Sequence, residues 1–201
     1  MSDCKKIAFF DFDGTITRKD TLLEVIRFQK GRYSFYKGFL WTGPTLIAYK
    51  LKLISNEVAK QKILKYFFAG MEESVFQNAC DGFAETRLPA LIRTGALNEI
   101  SKLKAAGVEV VIVSASAGNW IRRWSDSLSL ELISTSLEII NDRITGRLKG
   151  RNCYGAEKVR RIRERWNLDE FGEIYAYGDT EGDQPMLALA TKSYYKPFRN
   201  E

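Results

Sequence analysis

The chain has 201 residues, of which 45% are hydrophobic, and it carries 31 Lys and Arg residues against 25 Asp and Glu residues. This length and composition are typical of a folded protein with one core and an insertion, or of two small domains, and they exclude a wholly disordered chain. Histidine is absent, which excludes Ser-His-Asp and Cys-His catalysis as well as metal ligation by histidine.

The start of the chain is polar and leads directly into a short apolar run. Residues 1–6 are mostly polar or charged, and only four apolar residues follow before Asp11. A run of this length is too short for the core of a secretory signal peptide. The cysteines, Cys4, Cys80 and Cys153, show no spacing typical of a zinc site or a disulfide framework. We therefore expect a cytoplasmic protein with reduced cysteines.

A buried strand is predicted over residues 5–12, and two aspartates stand at its end. Residues 7–15 read Ile-Ala-Phe-Phe-Asp-Phe-Asp-Gly-Thr and place Asp11 and Asp13 one residue apart. Charge is excluded from the interior of a sheet, so the strand must leave the core at these acids. Residues i and i+2 of a strand face the same way, about 6 to 7 Å apart, so both carboxylates can address one site. Gly14 permits a tight turn directly after them.

Residues 21–86 show helical spacing and no convincing strand, which predicts an all-helical insertion after the first strand. Within residues 21–70, nine Lys and Arg residues stand against two Glu residues, and ten of the 25 aromatic residues of the chain occur there. The uncharged run over residues 38–49 is too short to cross a bilayer, which requires roughly 20 apolar residues. Contact of this basic, aromatic segment with an anionic membrane surface stays open beside the simpler interpretation as a helical core.

The second half of the chain alternates predicted strands and helices. Strands are predicted over residues 107–113 and 173–177, and helices over residues 89–106 and 156–166. Such alternation indicates a parallel sheet whose strands are joined by crossover helices. A hairpin around Asn141 and Asp142, within residues 132–148, is predicted as an addition to this core.

A second acidic cluster follows the last of these strands. Residues 178–183 read Gly-Asp-Thr-Glu-Gly-Asp and include Asp179 and Asp183. Ligand sites of open α/β sheets form beyond the carboxyl ends of the strands, so these acids should meet Asp11 and Asp13 there. Two unit charges 4 Å apart repel by roughly 4 kcal/mol at an effective dielectric constant near 20. A hard cation such as Mg²⁺ would offset this repulsion, and the cluster is therefore predicted to be a magnesium site.

Two groups suited to binding an anion are predicted near the same edge of the sheet. Ser114 ends the second strand in the stretch Ser-Ala-Ser-Ala-Gly, which is predicted as a turn into a helix that carries Trp120 and Trp124. A hydroxyl beside free N–H groups at a helix start can hold an anion. Lys158, in the first turns of the helix before the last strand, could reach the same crevice. Acids, anion donors and a cation at strand ends are the components of phosphoryl transfer.

The order of these motifs resembles the haloacid dehalogenase superfamily of aspartate-nucleophile phosphatases. Asp-Phe-Asp-Gly-Thr, Ser114, Lys158 and Gly-Asp-Thr-Glu-Gly-Asp occur in the order typical of that superfamily, and the resemblance covers nearly the whole chain. The insertion after the first motif resembles the cap of the subclass that includes phosphoserine phosphatase. The resemblance implies an α/β fold: a Rossmann-like parallel sheet core in residues 1–17 and 88–201, and an inserted all-helical cap in residues 18–87.

The resemblance also implies a role for each motif residue. Asp11 would be the nucleophile that forms an aspartyl-phosphate, and Asp13 would be the general acid and base. Mg²⁺ would be bound by Asp11, the main-chain carbonyl of Asp13, and Asp179, with Asp183 supporting the metal site. The substrate-binding residues would be Thr15, Asp20, Ser114, Ala115 and Lys158. An aspartate is ionised at pH 7 and needs no histidine to activate it, which suits this chain.

The substrate is predicted from departures within this subclass. Asp20 stands where phosphoserine phosphatases usually carry a Glu near the substrate's amino group, which keeps phosphoserine as an alternative. Ser114 is followed by Ala and Ser instead of their usual Gly and Gly, and the insertion offers no match to their carboxylate-binding Arg. Residues 152–158, Asn-Cys-Tyr-Gly-Ala-Glu-Lys, resemble the branch that includes a phosphatidylglycerophosphate phosphatase. A lipid-linked or other bulky phosphomonoester is therefore preferred.

A different class of function stays open, namely a non-catalytic module that binds anionic membrane or nucleic acid through the basic insertion. It leaves the acidic motifs unexplained, because carboxylates at a binding edge repel phosphate backbones unless a metal intervenes. Nucleic acid is therefore disfavoured as a partner. The preferred partner is a phosphorylated small molecule or lipid, and the preferred location is the cytoplasm, with peripheral contact at the inner face of the membrane left open.

Overall fold

The computed structural model describes residues 5–199, which form a five-stranded parallel sheet surrounded by helices and a separate hairpin. The strands are β1 Lys5–Phe10, β2 Glu109–Ala117, β3 Glu131–Thr135, β4 Leu137–Ile140, β5 Arg143–Leu148, β6 Phe171–Gly178 and β7 Lys192–Tyr195. The parallel sheet has the order β3-β2-β1-β6-β7, while β4 and β5 pair with each other in the antiparallel direction. The predicted α/β fold class is therefore confirmed.

Helices cover the sheet and form the insertion between β1 and β2. They are α1 Thr21–Lys50, α2 Asn56–Phe68, α3 Glu73–Thr86, α4 Thr94–Ala105, α5 Arg122–Ser127, α6 Ala156–Arg165 and α7 Gln184–Leu187. Helix α1 changes direction at Gly31, whose φ of 76° and ψ of 167° are not helical. Among the helices of residues 5–199, none combines the length and the apolarity needed to cross a bilayer. The insertion consists of α1, α2 and α3, as its helical spacing predicted.

Strand β1 is buried on both faces of the sheet. Ala8 and Phe10 belong to the larger apolar cluster, which continues into the insertion, whereas Ile7 and Phe9 pack into the cluster on the other face. A strand covered on both sides has no polar face, which explains its uninterrupted apolar sequence. The first residue after this strand is Asp11, so the chain becomes polar where it leaves the core.

The predicted hairpin around Asn141 and Asp142 forms as β4 and β5 outside the parallel sheet, and it is also bonded to the insertion. The Ile144 carbonyl accepts a hydrogen bond from Gly70 N at 2.8 Å, and Ile144 N donates to the Met71 carbonyl at 2.9 Å. The Leu148 N–H donates to the side chain of Gln61 on α2 at 3.3 Å. The first residues assigned to this hairpin instead form β3, the outer strand of the parallel sheet. The boundaries at residues 17 and 88 stay a prediction.

The segment between the insertion and β2 also differs from its prediction. Residues 89–106 do not form one helix: the chain makes a 3-10 turn over Leu88–Leu91 and begins α4 at Thr94. Ile92 is extended because it pairs with Thr17, and Arg93 N donates to the Ile16 carbonyl at 2.8 Å. The two connections between sheet and insertion therefore run side by side. Strand β7 was not predicted, because it is short and its residues are exposed.

Candidate active site

The carboxyl ends of β1, β2 and β6 surround a cavity of about 170 Å³. Parallel strands end at the same edge of a sheet, which is why motifs distant in sequence meet here. The lining residues come from the sheet edge and from the insertion, so both parts enclose the cavity. They are Asp11, Asp13, Asp20, Leu22, Asn56, Lys60, Ala115, Ser116, Tyr154, Lys158, Thr180 and Asp183.

Asp11 is buried at the end of β1, with 6% of its surface exposed. Its main-chain N–H donates to the Tyr177 carbonyl at 2.9 Å, which holds the residue at the sheet edge. Its Oδ1 accepts a hydrogen bond from Lys158 Nζ at 2.6 Å. Burial raises the pKa of Asp11 to about 7, and the ammonium of Lys158 opposes this rise. A poorly solvated carboxylate beside a fixed cation is suited to act as a nucleophile.

Lys158 uses all three donors of its ammonium at the sheet edge. Nζ donates to Asp11 Oδ1 at 2.6 Å, to Asp183 Oδ1 at 2.7 Å and to the Val113 carbonyl at 2.8 Å. Burial alone would lower the pKa of Lys158, but the charges of Asp11 and Asp183 outweigh it and hold the pKa above its ordinary value. Burial likewise opposes the ionisation of Asp183, yet Lys158 holds the pKa of that carboxyl below its ordinary value. Lys158 is therefore a permanent positive charge between two carboxylates.

The three carboxylates of Asp11, Asp179 and Asp183 form a buried cluster that fits a metal site. One ligand oxygen of each lies within 4.8 Å of the others. Hard oxygen donors of this kind suit a divalent cation such as Mg²⁺. Two cations of the protein partly balance their charge: Lys158, described above, and Arg199, whose guanidinium contacts Asp179 Oδ2 at 2.7 Å.

The loop after β6 is shaped by the second oxygen of Asp183. This Oδ2 accepts hydrogen bonds from Asp179 N at 3.1 Å, from Thr180 N at 2.9 Å and from Thr180 Oγ1 at 2.7 Å. The predicted substrate residue Thr15 donates to Asp179 Oδ1 at 3.4 Å. Thr15 therefore contacts the acidic cluster, and Asp183 holds the loop that positions Asp179.

Asp13 and Asp20 line the side of the cavity next to the insertion. The strand ends at Phe10, two residues before the predicted end, and Asp13 lies in the turn Phe12–Ile16, where its Oδ1 accepts a hydrogen bond from Thr21 N at 2.6 Å. Asp20 caps α1 by accepting a hydrogen bond from Leu23 N at 3.2 Å. Desolvation, together with the charge of Asp13, raises the pKa of Asp20 to about 6, although part of its surface stays exposed. The turn thus brings both carboxylates to the cavity that Asp11 lines.

The predicted anion-binding serine is part of strand β2, which continues to Ala117. Ser114 is buried, and its Oγ accepts a hydrogen bond from Ser116 N at 3.0 Å. Ala115 and Ser116 line the cavity, whereas Ser114 is not among its lining residues. The predicted helix start beside Ser114 is wrong, because a 3-10 turn over Gly118–Trp120 comes first.

Two cations at the site were not predicted from the sequence. Lys60 on α2 donates to the Ala115 carbonyl at 2.8 Å and to Asn152 Oδ1 at 3.1 Å, so it links the insertion to the sheet edge. Desolvation lowers the pKa of Lys60. Arg199 is the other, through its contact with Asp179. No local sequence signal separates Lys60 from the neighbouring lysines of α2, since only its position in the fold makes it part of the cavity.

Gly14 lets the turn after β1 pass against Asp179. Its φ is +85°, and a Cβ at this position would lie 2.4 Å from Asp179 Oδ2. Gly14→Ala is expected to strain the backbone and displace the carboxylate, and so to lower the free energy of unfolding by about 2–4 kcal/mol. Urea denaturation measures this loss.

Gly70→Ala is the matched control for that substitution. Gly70 has a φ of +82°, but a Cβ there would meet nothing within 4 Å. Its substitution is expected to cost about 1 kcal/mol, from backbone strain alone. Equal losses for the two variants would contradict a steric role of Asp179.

Comparison with known proteins relates most of the chain to one family. The family model for haloacid dehalogenase-like hydrolases matches residues 8–188. Protein CicA of Caulobacter vibrioides is 37% identical over 195 residues, which cover 96% of this chain and 86% of CicA. A phosphoserine phosphatase of Archaeoglobus fulgidus is 33% identical over 99 residues, which cover 48% of this chain and 29% of that protein.

A solved structure extends the comparison to the fold. The structure of a Bordetella pertussis protein of unknown function matches with a TM-score of 0.82 at 21% identity, over 94% of this chain and 88% of that chain. Similarity at this identity concerns the fold alone. The extent of the family match, together with the buried acids at the sheet edge, leads to one conclusion: the chain belongs to the haloacid dehalogenase-like hydrolases.

Proposed function

We propose that the chain is a magnesium-dependent phosphomonoester hydrolase that forms an aspartyl-phosphate on Asp11. Its proposed substrate is a lipid-linked or other bulky phosphomonoester, hydrolysed in the cytoplasm. The observation that carries the proposal is the buried contact between Asp11 and Lys158 at 2.6 Å, beside the carboxylates of Asp179 and Asp183. Membership of the hydrolase family and partial identity to a phosphoserine phosphatase support a phosphatase.

In the first half of the reaction, the Asp11 carboxylate attacks phosphorus. An O–P bond forms to Asp11 while the bond from phosphorus to the substrate oxygen breaks. Protonated Asp13 gives its proton to that leaving oxygen, which departs as an alcohol. Lys158 favours the ionised form of Asp11 against the effect of burial, and it offsets negative charge on the transferred group. The product of this half is an acyl phosphate on Asp11.

In the second half, water hydrolyses the acyl phosphate. Asp13 removes a proton from the attacking water and is thereby ready for another cycle. Inorganic phosphate leaves, and Asp11 is regenerated as a carboxylate. Bound Mg²⁺ would supply positive charge that reduces repulsion between the phosphate and the carboxylates. The residues proposed to hold it are Asp11, Asp179, Asp183 and the carbonyl of Asp13.

The shape of the site supports a bulky substrate. The cavity at Asp11, of about 170 Å³, has room for a phosphoryl group and a few adjoining atoms. It shares Asn56 and Tyr154 with a second cavity of about 560 Å³, which Leu53 and Ile54 also line. Larger ligands generally occupy about 300–1,000 Å³, so the second cavity offers space for the rest of the molecule. The resemblance of residues 152–158 to the lipid phosphatase branch favours the same substrate.

Phosphoserine is the second candidate, because the catalytic cavity contains opposite charges. Asp20 and Lys60 both line it and could receive the amino and carboxylate groups of an amino acid. The partial identity to the Archaeoglobus fulgidus enzyme supports this alternative. Lys60, however, is already bonded to the Ala115 carbonyl and to Asn152, so a substrate carboxylate would have to compete with both. The lipid-linked substrate therefore stays preferred.

Removal of magnesium is expected to stop turnover. Without a bound cation, the carboxylates repel an incoming phosphate. EDTA should lower the hydrolysis of p-nitrophenyl phosphate to the background rate, and added MgCl₂ should restore it, as followed by the absorbance of nitrophenolate. Undiminished hydrolysis in EDTA would refute the metal dependence. No hydrolysis with either addition would favour the non-catalytic binding module.

A substrate panel separates the two candidate reactions. We expect kcat/KM to be at least about tenfold higher for a phosphorylated lipid in detergent micelles than for phosphoserine, because the second cavity contacts only the larger molecule. Released inorganic phosphate is the quantity to measure, and micelles without phospholipid are the control. Rapid turnover of phosphoserine with slow turnover of the lipid would reverse the preference.

A further inference from the structure

The second half of α1 carries an aromatic and aliphatic face that points away from the rest of the protein. Side chains of this kind recur there at intervals of three or four residues, which places them on one side of the helix. We call this set the outer stripe; it consists of Tyr33, Tyr36, Leu40, Pro44 and Ile47 in the helix and of Leu51, the residue that caps its C-terminal end. All six residues are exposed, and each of them other than Pro44 keeps at least 60% of its surface accessible to solvent. Trp41, beside the stripe, is 78% exposed.

The outer stripe is separate from the face of α1 that packs into the protein. Phe35, Gly38 and Thr42 are buried on the inner side, and the ring of Phe39 meets Phe67 of α2 at a centroid distance of 5.7 Å. The outer stripe is therefore a second apolar face, about 27 Å long at 1.5 Å per residue. An exposed apolar face of this extent is typical of an interaction site.

The charges around the outer stripe have one sign. Residues 25–56 contain six Lys and Arg residues and no Asp or Glu. Four of them are exposed and make no ion pair within residues 5–199: Arg32, Lys37, Lys50 and Lys52. Two copies of the chain joined through this face would bring these cations together with no acid to balance them. An anionic partner is therefore favoured over a second copy.

We infer that the outer stripe docks α1 on an anionic phospholipid bilayer. The helix lies along the surface, with Leu40 and Ile47 among the acyl chains and the tyrosine rings at the headgroup level. The four cations extend sideways to the phosphates of the lipid headgroups. A helix that binds in the membrane interface typically has an apolar face of aliphatic and aromatic side chains with cations on either side of it, and α1 has this pattern.

Docking through this face would bring the membrane to the entrance of the catalytic cavity. The C-terminal end of α1 and the following loop, with Lys50, Lys52 and Leu53, line the second cavity, which shares Tyr154 with the catalytic one. A phosphorylated headgroup could then reach Asp11 while its acyl chains stay in the bilayer. Delivery of the headgroup to Asp11 rests on the proposed function, whereas docking on the bilayer does not. Failure of the proposed function would therefore leave docking intact, and failure of docking would leave the proposed function intact.

Vesicle flotation of the intact Asp11→Asn chain tests docking without catalysis. The chain should float with vesicles of phosphatidylglycerol and phosphatidylcholine, and bind vesicles of phosphatidylcholine alone at least about tenfold more weakly. Leu40→Ser combined with Ile47→Ser should lower binding to the anionic vesicles at least about tenfold. The matched control is Val75→Ser combined with Ile140→Ser, which changes two residues, each 54% exposed, on other elements and should leave binding unchanged.

Tryptophan fluorescence reports where the contact forms. Trp120 and Trp124 are buried and Trp166 is half-buried, so a blue shift on anionic vesicles should come from Trp41 and vanish in Trp41→Phe. The Leu40 and Ile47 double variant, made with Asp11 intact, should hydrolyse p-nitrophenyl phosphate at the normal rate, which shows that it folds. Equal vesicle binding by the stripe variant and the control would overturn the inference. The inference would also be overturned if the chain did not bind vesicles but formed a dimer that the stripe variant dissociates.

Discussion

Asp11→Asn is expected to lower kcat for p-nitrophenyl phosphate by a factor of about 10³ or more, because the amide cannot form the acyl phosphate. That factor corresponds to about 4 kcal/mol of transition-state stabilisation. The variant should still fold, since Asn has nearly the same shape and Lys158 keeps its contacts with Asp183 and the Val113 carbonyl. Steady-state assays at saturating MgCl₂, together with urea denaturation, measure both properties.

The control for this substitution is Asp169→Asn, which changes an exposed aspartate in the 3-10 turn before β6. It should leave kcat unchanged. Turnover of Asp11→Asn within tenfold of the unmodified chain would remove the nucleophile from the proposal. If Asp11→Asn still binds magnesium but does not hydrolyse the substrate, the loss of activity is due to the loss of the nucleophile and not to the loss of the metal.

Lys158→Met is expected to be strongly destabilising, because the ammonium lies between Asp11 and Asp183, at 2.6 Å and 2.7 Å. Its loss leaves two buried carboxylates without their shared cation and the Val113 carbonyl without its donor. Removing one partner of a buried ion pair typically costs 3–5 kcal/mol, and we expect a loss of about that size in the free energy of unfolding. Turnover should fall by about 10²-fold or more, since charge stabilisation at the phosphoryl group is lost.

Magnesium should partly repair the stability of Lys158→Met, since a bound cation replaces positive charge beside the same carboxylates. Melting temperature against MgCl₂ concentration should therefore rise more steeply for this variant than for the unmodified chain. Lys102→Met, at a lysine whose side chain is 77% exposed on α4, is the control and should change neither stability nor turnover. If Lys158→Met does not fold, addition of Asp183→Asn should restore folding. A decrease in the free energy of unfolding no larger than that of Lys102→Met would contradict the role of Lys158 between the two buried carboxylates.

The insertion contributes to both the choice of substrate and the proposed contact with a membrane. Its helix α2 supplies Lys60 to the catalytic cavity, and the end of α1 lines the larger cavity beside it. Phosphoserine would use the first of these features, whereas a lipid-linked substrate would use the second. The substrate panel and the vesicle experiments therefore test neighbouring parts of one surface, and either result can stand without the other.

Much of the architecture was predictable because it depends on local patterns. The uninterrupted apolar run of β1 ends at Asp11, and a strand buried on both faces has no other place for a carboxylate. Helical spacing identified the insertion, and alternation of strands and helices identified the parallel sheet. The acidic motif that contains Asp179 follows β6, so the topology of the sheet placed it beside Asp11.

Where the prediction was wrong, contacts between distant residues outweighed the local pattern. Residues 132–135 were predicted as part of the hairpin that follows them, yet they pair with β2 as the outer strand of the sheet. The hairpin itself bonds to Gly70 and Met71 of the insertion. Thr17 holds Ile92 in an extended conformation and so breaks the helix predicted across it.

The amino-acid sequence was sufficient for the fold class, the family and the acidic motifs, because the identity and order of residues at strand ends carry that information. The charge environment of the site required the folded chain. Lys60 and Arg199 come from segments whose local sequence resembles that of surface helices and loops, and only packing brings them to Ala115 and Asp179. Burial, which raises the pKa of Asp11, is likewise a property of the assembled core, because desolvation depends on what every neighbouring element covers.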